Sequence, residues 1–383
     1  SQYDLPLCRD GVMEIEVNGE TKRIGITRAH IEEDTARNTH TIGGGQSGVD
    51  FNRSGVPLLE IVTEPDIHSA DEAFAYLTLL KQTLQYLGVS DCNMEEGSLR
   101  AEANISVAPQ GSGTLGVKTE VKNVASFSGT YKAIQFEIAR QIQVLEEGGK
   151  VVQETRGWDA EREITFSQRS KESAHDYRYF PEPDLVPIAV DDAWVEGIRA
   201  ALPELPTARK RRFCEAYGLS AYDAGVLTAS RALAEYYETV VRGGVDAKKA
   251  ANWVMGDLQR LVVDAGLETA DGKVSPENLA AMLKLIDDGT ISGKIAKEVL
   301  FEMFATGQPP KAIVEAKGLV QISDTSELDK AVQDILAAFP DQVRQYKDGN
   351  EKVFGFLMGQ LMRATKGKAN PQRVTDLLRN ALT

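Results

Sequence analysis

Hydrophobic positions change period along this chain, and the change divides it. Met13, Ile15 and Val17 alternate with glutamates up to Asn18-Gly19, and Ile24 and Ile26 resume the alternation beyond. Period two around an Asn-Gly pair, which tolerates positive φ at both positions, predicts a β-hairpin. Ser69 followed three residues later by Glu72 is a capping-box pattern, and Phe74, Leu77, Leu80, Leu84 and Leu87 follow at helical spacing until Gly88. A second helix is predicted over roughly 127–147, where Ile134, Ile138, Ile142 and Leu145 form an apolar stripe ended by Gly148-Gly149. Both helices are suited to covering a sheet. Beyond residue 206 the pattern is helical almost throughout, in short stretches broken by Gly218, Gly243-Gly244, Gly256, Gly289, Gly293, Gly307 and Gly318. Lys352–Thr365 and Pro371–Leu382 read as a helical hairpin with a basic tip, Lys366-Gly367-Lys368-Ala369-Asn370.

The expected fold is therefore α+β. A mixed or antiparallel sheet with covering helices occupies 1–201, an all-α domain 202–315 and a small α-helical tail 316–383, with the first boundary near Pro203 and Pro206. No tandem repeat or low-complexity stretch interrupts this order.

Polar residues recur at strand spacing in two places. Arg100, Glu102, Asn104 and Ser106 share one face of a predicted strand, and Lys118, Glu120 and Lys122 share a face of the next. A hairpin centred on Gly111 sets Glu102 opposite Glu120, and like charges so placed need a cation between them. A divalent metal supplies one; Arg100, Lys118 and Lys122 could instead pair with the glutamates on an ordinary solvated face, as charged sheet faces commonly do. Upstream, Arg28-Ala29-His30-Ile31-Glu32-Glu33-Asp34 gathers an imidazole and three carboxylates, which suits either a hard-cation site or a solvated acidic turn. His40 opens a glycine loop whose amides could approach phosphate, but no Walker lysine accompanies it. His68, just before a helix cap, reads as a surface histidine. His175 adjoins Asp176-Tyr177-Arg178-Tyr179-Phe180-Pro181-Glu182-Pro183-Asp184, a cluster fit either to stack a base and clamp a phosphate or to plug a core.

Composition narrows the classes. A net charge of -14 opposes non-specific nucleic-acid binding, so any RNA contact must be local. The last stretch supplies one: residues 341–383 hold eight Lys or Arg against four Asp or Glu, with Arg363, Lys366, Lys368 and Arg373 flanking the hairpin tip. Cys8, Cys92 and Cys214 are too scattered for a disulfide framework or a thiolate zinc site, which points to a reducing compartment. No apolar run approaches the roughly 18 residues of a membrane span, so the expected setting is the cytoplasm. The chain starts at Ser1 inside a strand-rich stretch, as though a preceding segment were missing.

The run Val49-Asp50-Phe51-Asn52-Arg53-Ser54-Gly55-Val56-Pro57-Leu58-Leu59-Glu60-Ile61-Val62-Thr63-Glu64-Pro65-Asp66 resembles the signature of the GatB family, the B components of aspartyl/glutamyl-tRNA amidotransferases. Gly25-Ile26-Thr27-Arg28, Met94-Glu95-Glu96-Gly97-Ser98-Leu99-Arg100, the 176–184 cluster, Pro203-Glu204-Leu205-Pro206, Ile295-Ala296-Lys297 and Lys366-Gly367-Lys368-Ala369-Asn370-Pro371 resemble further family blocks. The resemblance implies a cradle domain, a helical domain and a YqeY-like tail, in a heterotrimer whose other members are an amidase (the A component) and a small third protein (the C component). It implies transamidation: ATP and Mg2+ activate the side-chain carboxylate of misacylated Glu-tRNA(Gln) or Asp-tRNA(Asn), and ammonia from glutamine displaces the phosphate. It nominates Glu33, Glu60, Glu102 and Glu120, with His30, as metal ligands converging in the cradle. Glu102, Glu120, Lys118, Lys122 and Arg178 become candidate catalytic groups, Arg100, His40 and Arg53 candidates for ATP, and Arg363, Lys366, Lys368 and Arg373 for tRNA. A non-catalytic tRNA-binding scaffold is the alternative. The family's opening Gly-Leu-Glu-Val-His strand does not occur in the chain, so the cradle is expected to be incomplete at its start. The archaeal relative with a large synthetase-like insertion fits less well, since nothing comparable breaks 184–210.

Overall fold

Asn18 and Gly19 take positive φ, 54° and 82°, as a two-residue hairpin turn requires. They join β1 (Cys8–Val17) to β2 (Glu20–Glu33), with Ile15 opposite Lys22 and Met13 opposite Ile24. β3 (Arg37–Thr39) and β4 (Gly48–Asp50) form a separate pair, and β5 (Pro57–Thr63) lies antiparallel on the other side of β2, giving the order β1-β2-β5. This computed structural model describes residues 5–39, 48–170, 184, 186–319, 325–365, 369 and 371–382.

Ile15 and Ile24 are buried against Tyr76 and Leu80 of α1 (Ala70–Tyr86). The helix starts at its predicted cap, with Ser69 Oγ accepting from the Glu72 N–H at 3.1 Å. Glu72 accepts in turn from the His68 N–H at 2.6 Å and from Lys22 Nζ at 2.7 Å, so the cap also ties the helix to β2.

The second sheet runs β6-β7-β8-β9: β6 (Ala103–Ile105), β7 (Thr119–Lys122), β8 (Glu154–Asp159) and β9 (Ile164–Ser170). β7 and β8 are parallel, and α2 (Phe127–Glu146) makes the crossover between them. The β6–β7 ladder is shorter than the alternation predicts and its register differs. Asn104 pairs with Glu120, so continuing the count brings Glu102 opposite Lys122 and not opposite Glu120. Between the strands the chain packs on itself: a Cβ on Gly116 would fall 2.1 Å from the Val107 carbonyl oxygen.

α2 also departs from its predicted stripe. Ile142 and Leu145 are exposed, whereas Glu137 and Gln141 are fully buried beside Ala133 and Ile134. Glu137 accepts from Thr119 Oγ1 at 2.7 Å, Thr165 Oγ1 at 2.9 Å, Arg140 Nη2 at 2.5 Å and Gln141 Nε2 at 3.0 Å. Arg156 Nε stands 3.4 Å away, and Gln141 Nε2 also donates to the Ile105 carbonyl at 3.0 Å. One carboxylate thus binds the helix to β7 and β9, and its neighbour binds β6. Burial pushes the Glu137 carboxyl up, but the hydrogen bonds from Arg140, Gln141, Thr119 and Thr165 outweigh it and hold the pKa below the ordinary 4.5.

The chain folds as two compact units, Ser1–Pro203 and Glu204–Thr383. After α3 (Asp192–Ala201) closes the first, the second is helical: α4 (Pro206–Tyr217), α5 (Ala221–Leu227), α6 (Arg231–Arg242), α7 (Ala247–Trp253), α8 (Gln259–Asp264), α9 (Pro276–Asp287), α10 (Gly293–Thr306), α11 (Pro310–Lys317), α12 (Thr325–Ala338), α13 (Pro340–Lys347), α14 (Lys352–Ala364) and α15 (Pro371–Leu382). Its apolar interior forms two clusters, one from Phe213 to Val314 and one from Leu328 to Leu382. Gly243 lets α6 approach α9, since a Cβ there would meet Ala280 Cβ at 2.7 Å.

Glu137→Gln removes the buried counter-charge of Arg140 and is expected to destabilise the first unit by about 3 kcal/mol or more in urea unfolding at neutral pH. Because the folded pKa lies below the unfolded one, this stability is present above about pH 4.5 and is lost as pH falls through the folded value. The gap between wild type and variant should narrow in acid; a gap that stays constant would contradict the assignment.

Candidate active site

β2 slips its register once, and the slip builds the site. Ile26 pairs with Thr63 but Arg28 with Val62, leaving one extra residue in β2, as in a β-bulge. Upstream, Ile24 faces α1. Downstream Ala29 shares that face, because its partner Ile61 packs on the Ile15 and Ile24 cluster. His30, opposite Glu60, is thereby turned to the other face, and Glu32 follows it there.

His30 is 1% exposed, and its Nε2 lies 3.2 Å from Glu32 Oε1 and 4.0 Å from Glu60 Oε2. Nδ1 is buried with no hydrogen-bond partner among the described residues. Among those residues, no other group of three His, Cys, Asp or Glu side chains brings its donor atoms within 4.8 Å of one another. Two carboxylates and an imidazole make a donor set suited to a hard divalent cation such as Mg2+ or Mn2+.

The same row continues to Asp34, where the ladder ends. Its N–H donates to the Val56 carbonyl at 2.9 Å and its carbonyl accepts from Gly55 N–H at 3.0 Å. Gly55 sits at φ 82°, the left-handed glycine of a second bulge. The Asp34 side chain is buried and takes two guanidinium groups, Arg53 Nε at 3.1 Å and Arg100 Nη2 at 3.0 Å. Arg53 Nη1 also donates to the Gly97 carbonyl at 2.9 Å. Three chain segments converge on one carboxylate.

Two residues beyond Arg100, Glu102 accepts from Lys122 Nζ at 2.7 Å, and the same Nζ lies 3.3 Å from Glu120 Oε1. Thr155 Oγ1 donates to Glu120 Oε2 at 3.1 Å. The cation between the two glutamates is thus a lysine. Burial lowers the Lys122 pKa, but Glu102 and Glu120 outweigh it and raise the pKa above its ordinary value, so the ammonium stays charged.

Residues 1–196 match the GatB/GatE catalytic domain family, and residues 235–382 match the GatB domain. The B component of the aspartyl/glutamyl-tRNA(Asn/Gln) amidotransferase of Carboxydothermus hydrogenoformans is 56% identical over 385 residues, which cover 100% of this chain and 80% of that protein. The chain belongs to the GatB family. GatB proteins of the same name from Moorella thermoacetica and Geobacter sulfurreducens are also each 56% identical, over 384 and 386 residues, covering 100% of the chain and 81% and 80% of those proteins.

Within this GatB chain, among the described residues, the four expected glutamates do not form one group with donor atoms within 4.8 Å of one another. Glu60 joins His30. Glu33 is exposed and, one residue from Glu32 on a strand, points away from that face, so Glu32 takes the place expected of it. Glu102 and Glu120 gather around Lys122 and are not members of the His30 group. Arg53 and Arg100 meet on Asp34, while Lys118 is exposed just before β7. Arg363, in the last turn of α14, and Arg373, in the first turn of α15, are exposed. His40, His175, Arg178, Lys366 and Lys368 lie outside the described residues. Glu32 and Asp34, which the sequence offers as members of a cluster suited to a hard-cation site or an acidic turn but does not single out, are functional candidates that spacing could have found: positions 30, 32 and 34 alternate as in a strand.

Gly55→Ala forces a Cβ into the left-handed region, 3.3 Å from Glu33 Oε1. A loss of about 1–2 kcal/mol in urea unfolding is expected. Unchanged stability would mean that the loop does not need this backbone.

Proposed function

We propose that this chain is the member of a tRNA-dependent amidotransferase that uses ATP to activate the side-chain carboxylate of misacylated Glu-tRNA(Gln) or Asp-tRNA(Asn). The observation that carries the reading is the His30, Glu32 and Glu60 group, with the Asp34 arginine pair on the same strand row of β2. GatB membership and the names of the relatives across the whole chain support it.

The reaction has two displacements. A carboxylate oxygen attacks the γ-phosphorus and ADP leaves, giving an acyl phosphate. Ammonia then attacks the acyl carbon, phosphate leaves, and a proton is released as the amide forms. Phosphoryl transfer asks a protein mainly to position the groups and neutralise their charge. Bound Mg2+ supplies part of that neutralisation, and His30, Glu32 and Glu60 would hold it. Arg53, Arg100 and His40 serve the nucleotide. Glu102, Glu120, Lys118, Lys122 and Arg178 serve the reacting carboxylate, with Lys122 keeping the two glutamates from repelling it. Ammonia comes from glutamine hydrolysed on the amidase component, a small third protein completes the heterotrimer, and the complex works in the cytoplasm.

The tail from about residue 316 is a domain of its own, a reading supported by its separate apolar cluster. Its Arg363, Lys366, Lys368 and Arg373 meet tRNA phosphates. A non-catalytic scaffold docking tRNA through this tail is the second reading, and it predicts no binding of Mg2+ with ATP.

Reconstitution with the amidase and the small third component, scoring amide formation on both misacylated tRNAs with and without ATP, tests the function directly. His30→Ala and Glu60→Gln should each weaken Mn2+ binding, read by calorimetry, and cut ATP-dependent amidation by about tenfold or more, leaving glutaminase activity intact. Amidation that persists in both variants would defeat the metal assignment. Replacing Arg363, Lys366, Lys368 and Arg373 together by Ala should weaken tRNA binding and flatten its salt dependence by roughly three to four phosphate contacts; unchanged affinity at low and moderate salt would remove the tail from the interface.

A further inference from the structure

Asp34 is a buried carboxylate that takes two arginines, and the arithmetic leaves a positive charge over. Arg53 is 43% exposed and Arg100 53% exposed at the side chain, against 9% for Asp34. A pair serving only to staple loops has no need of a second, half-exposed cation. Among the described residues Arg53 spends Nε and Nη1, and Arg100 spends Nη2 alone. Donors on both guanidinium groups therefore remain for an acceptor from solvent. Their planes are set in advance, because one carboxylate holds both and the Gly97 carbonyl fixes Arg53 further. A pre-set pair of forked donors matches the oxygens of a phosphoryl group better than lysine point charges do.

Position adds to this. Asp34 follows His30 and Glu32 on alternate positions of one strand, where each step spans about 7 Å. Arg100 and Glu102 are two residues apart, so their Cα atoms lie within about 7 Å. The arginine pair is thus linked through Asp34 to the strand row of His30 and Glu32, and through Arg100 to the segment that carries Glu102.

We propose that Arg53 and Arg100 form a clamp for a phosphoryl group of the nucleotide, and that Asp34 is the positioning residue that holds the clamp together. The inference rests on the ATP-using reading above. Asp34 need not touch the ligand; it sets the angle between two groups that do.

The test is calorimetric binding of Mg2+ with ATP, and of inorganic pyrophosphate, to the reconstituted complex without tRNA. Arg53→Lys, Arg100→Lys and Asp34→Asn are each expected to weaken binding roughly tenfold or more, the loss of one charge-assisted contact. Asp34→Asn combined with Arg100→Lys should do little more than the worse single variant, because the residues act as a unit. The KM for ATP should rise while the KM for glutamine stays put. Should Asp34→Asn fail to fold, the two lysine variants carry the test, since their side chains are half exposed.

A wild-type complex that binds neither ATP nor pyrophosphate defeats the ATP-using reading itself. A wild type that binds both, alongside variants that bind equally well but melt at lower temperature, leaves that reading standing. In that event Arg53, Asp34 and Arg100 are a structural staple, and the clamp is overturned.

Discussion

A carboxylate taken out of water keeps its charge only if donors and cations go with it, and that constraint shapes the first unit of this protein. Glu137 is fully buried, and Arg140, Gln141, Thr119 and Thr165 come to it from two strands and its own helix. Asp34 draws Arg53 and Arg100 from two separate loops. Glu120 shares Lys122 with Glu102. Each acid fixes the segments that serve it.

These knots act on different faces of the same framework. Thr119 points toward α2 and Glu137, while Glu120, its neighbour on β7, meets Lys122 and Thr155. Holding one side of the strand therefore sets the other. In the first sheet, the slip between Ile26 and Arg28 lets Ile24 feed the core under α1 and still presents His30, Glu32 and Asp34 away from it. A strand without that extra residue would place His30 on the face covered by α1.

Much of the fold was legible. The Asn18-Gly19 hairpin, the Ser69 cap, α1 and α2 and the glycine-punctuated helical half follow from local chemistry that needs no distant partner. Family membership was legible too, because the 49–66 run resembles the family signature residue by residue. The site itself was less so. Spacing alone placed Glu102 opposite Glu120, and a register two residues away put Lys122 there instead. The apolar stripe on α2 pointed to Ile142 and Leu145, yet the buried face includes Glu137 and Gln141, since hydrogen-bond partners on neighbouring strands make those polar groups welcome.

By itself the sequence determined the periods, the caps and turns, the acidic balance with its basic tail, and the family. These are properties of residues near one another in the chain, where spacing is enough. Only the tertiary structure decided that Glu60 of a neighbouring strand stands with His30 and Glu32, that a lysine fills the gap between two glutamates, and that Asp34 gathers two arginines. Each of those outcomes turns on a strand register or a bulge, and a slip of one residue reverses the face of every side chain beyond it.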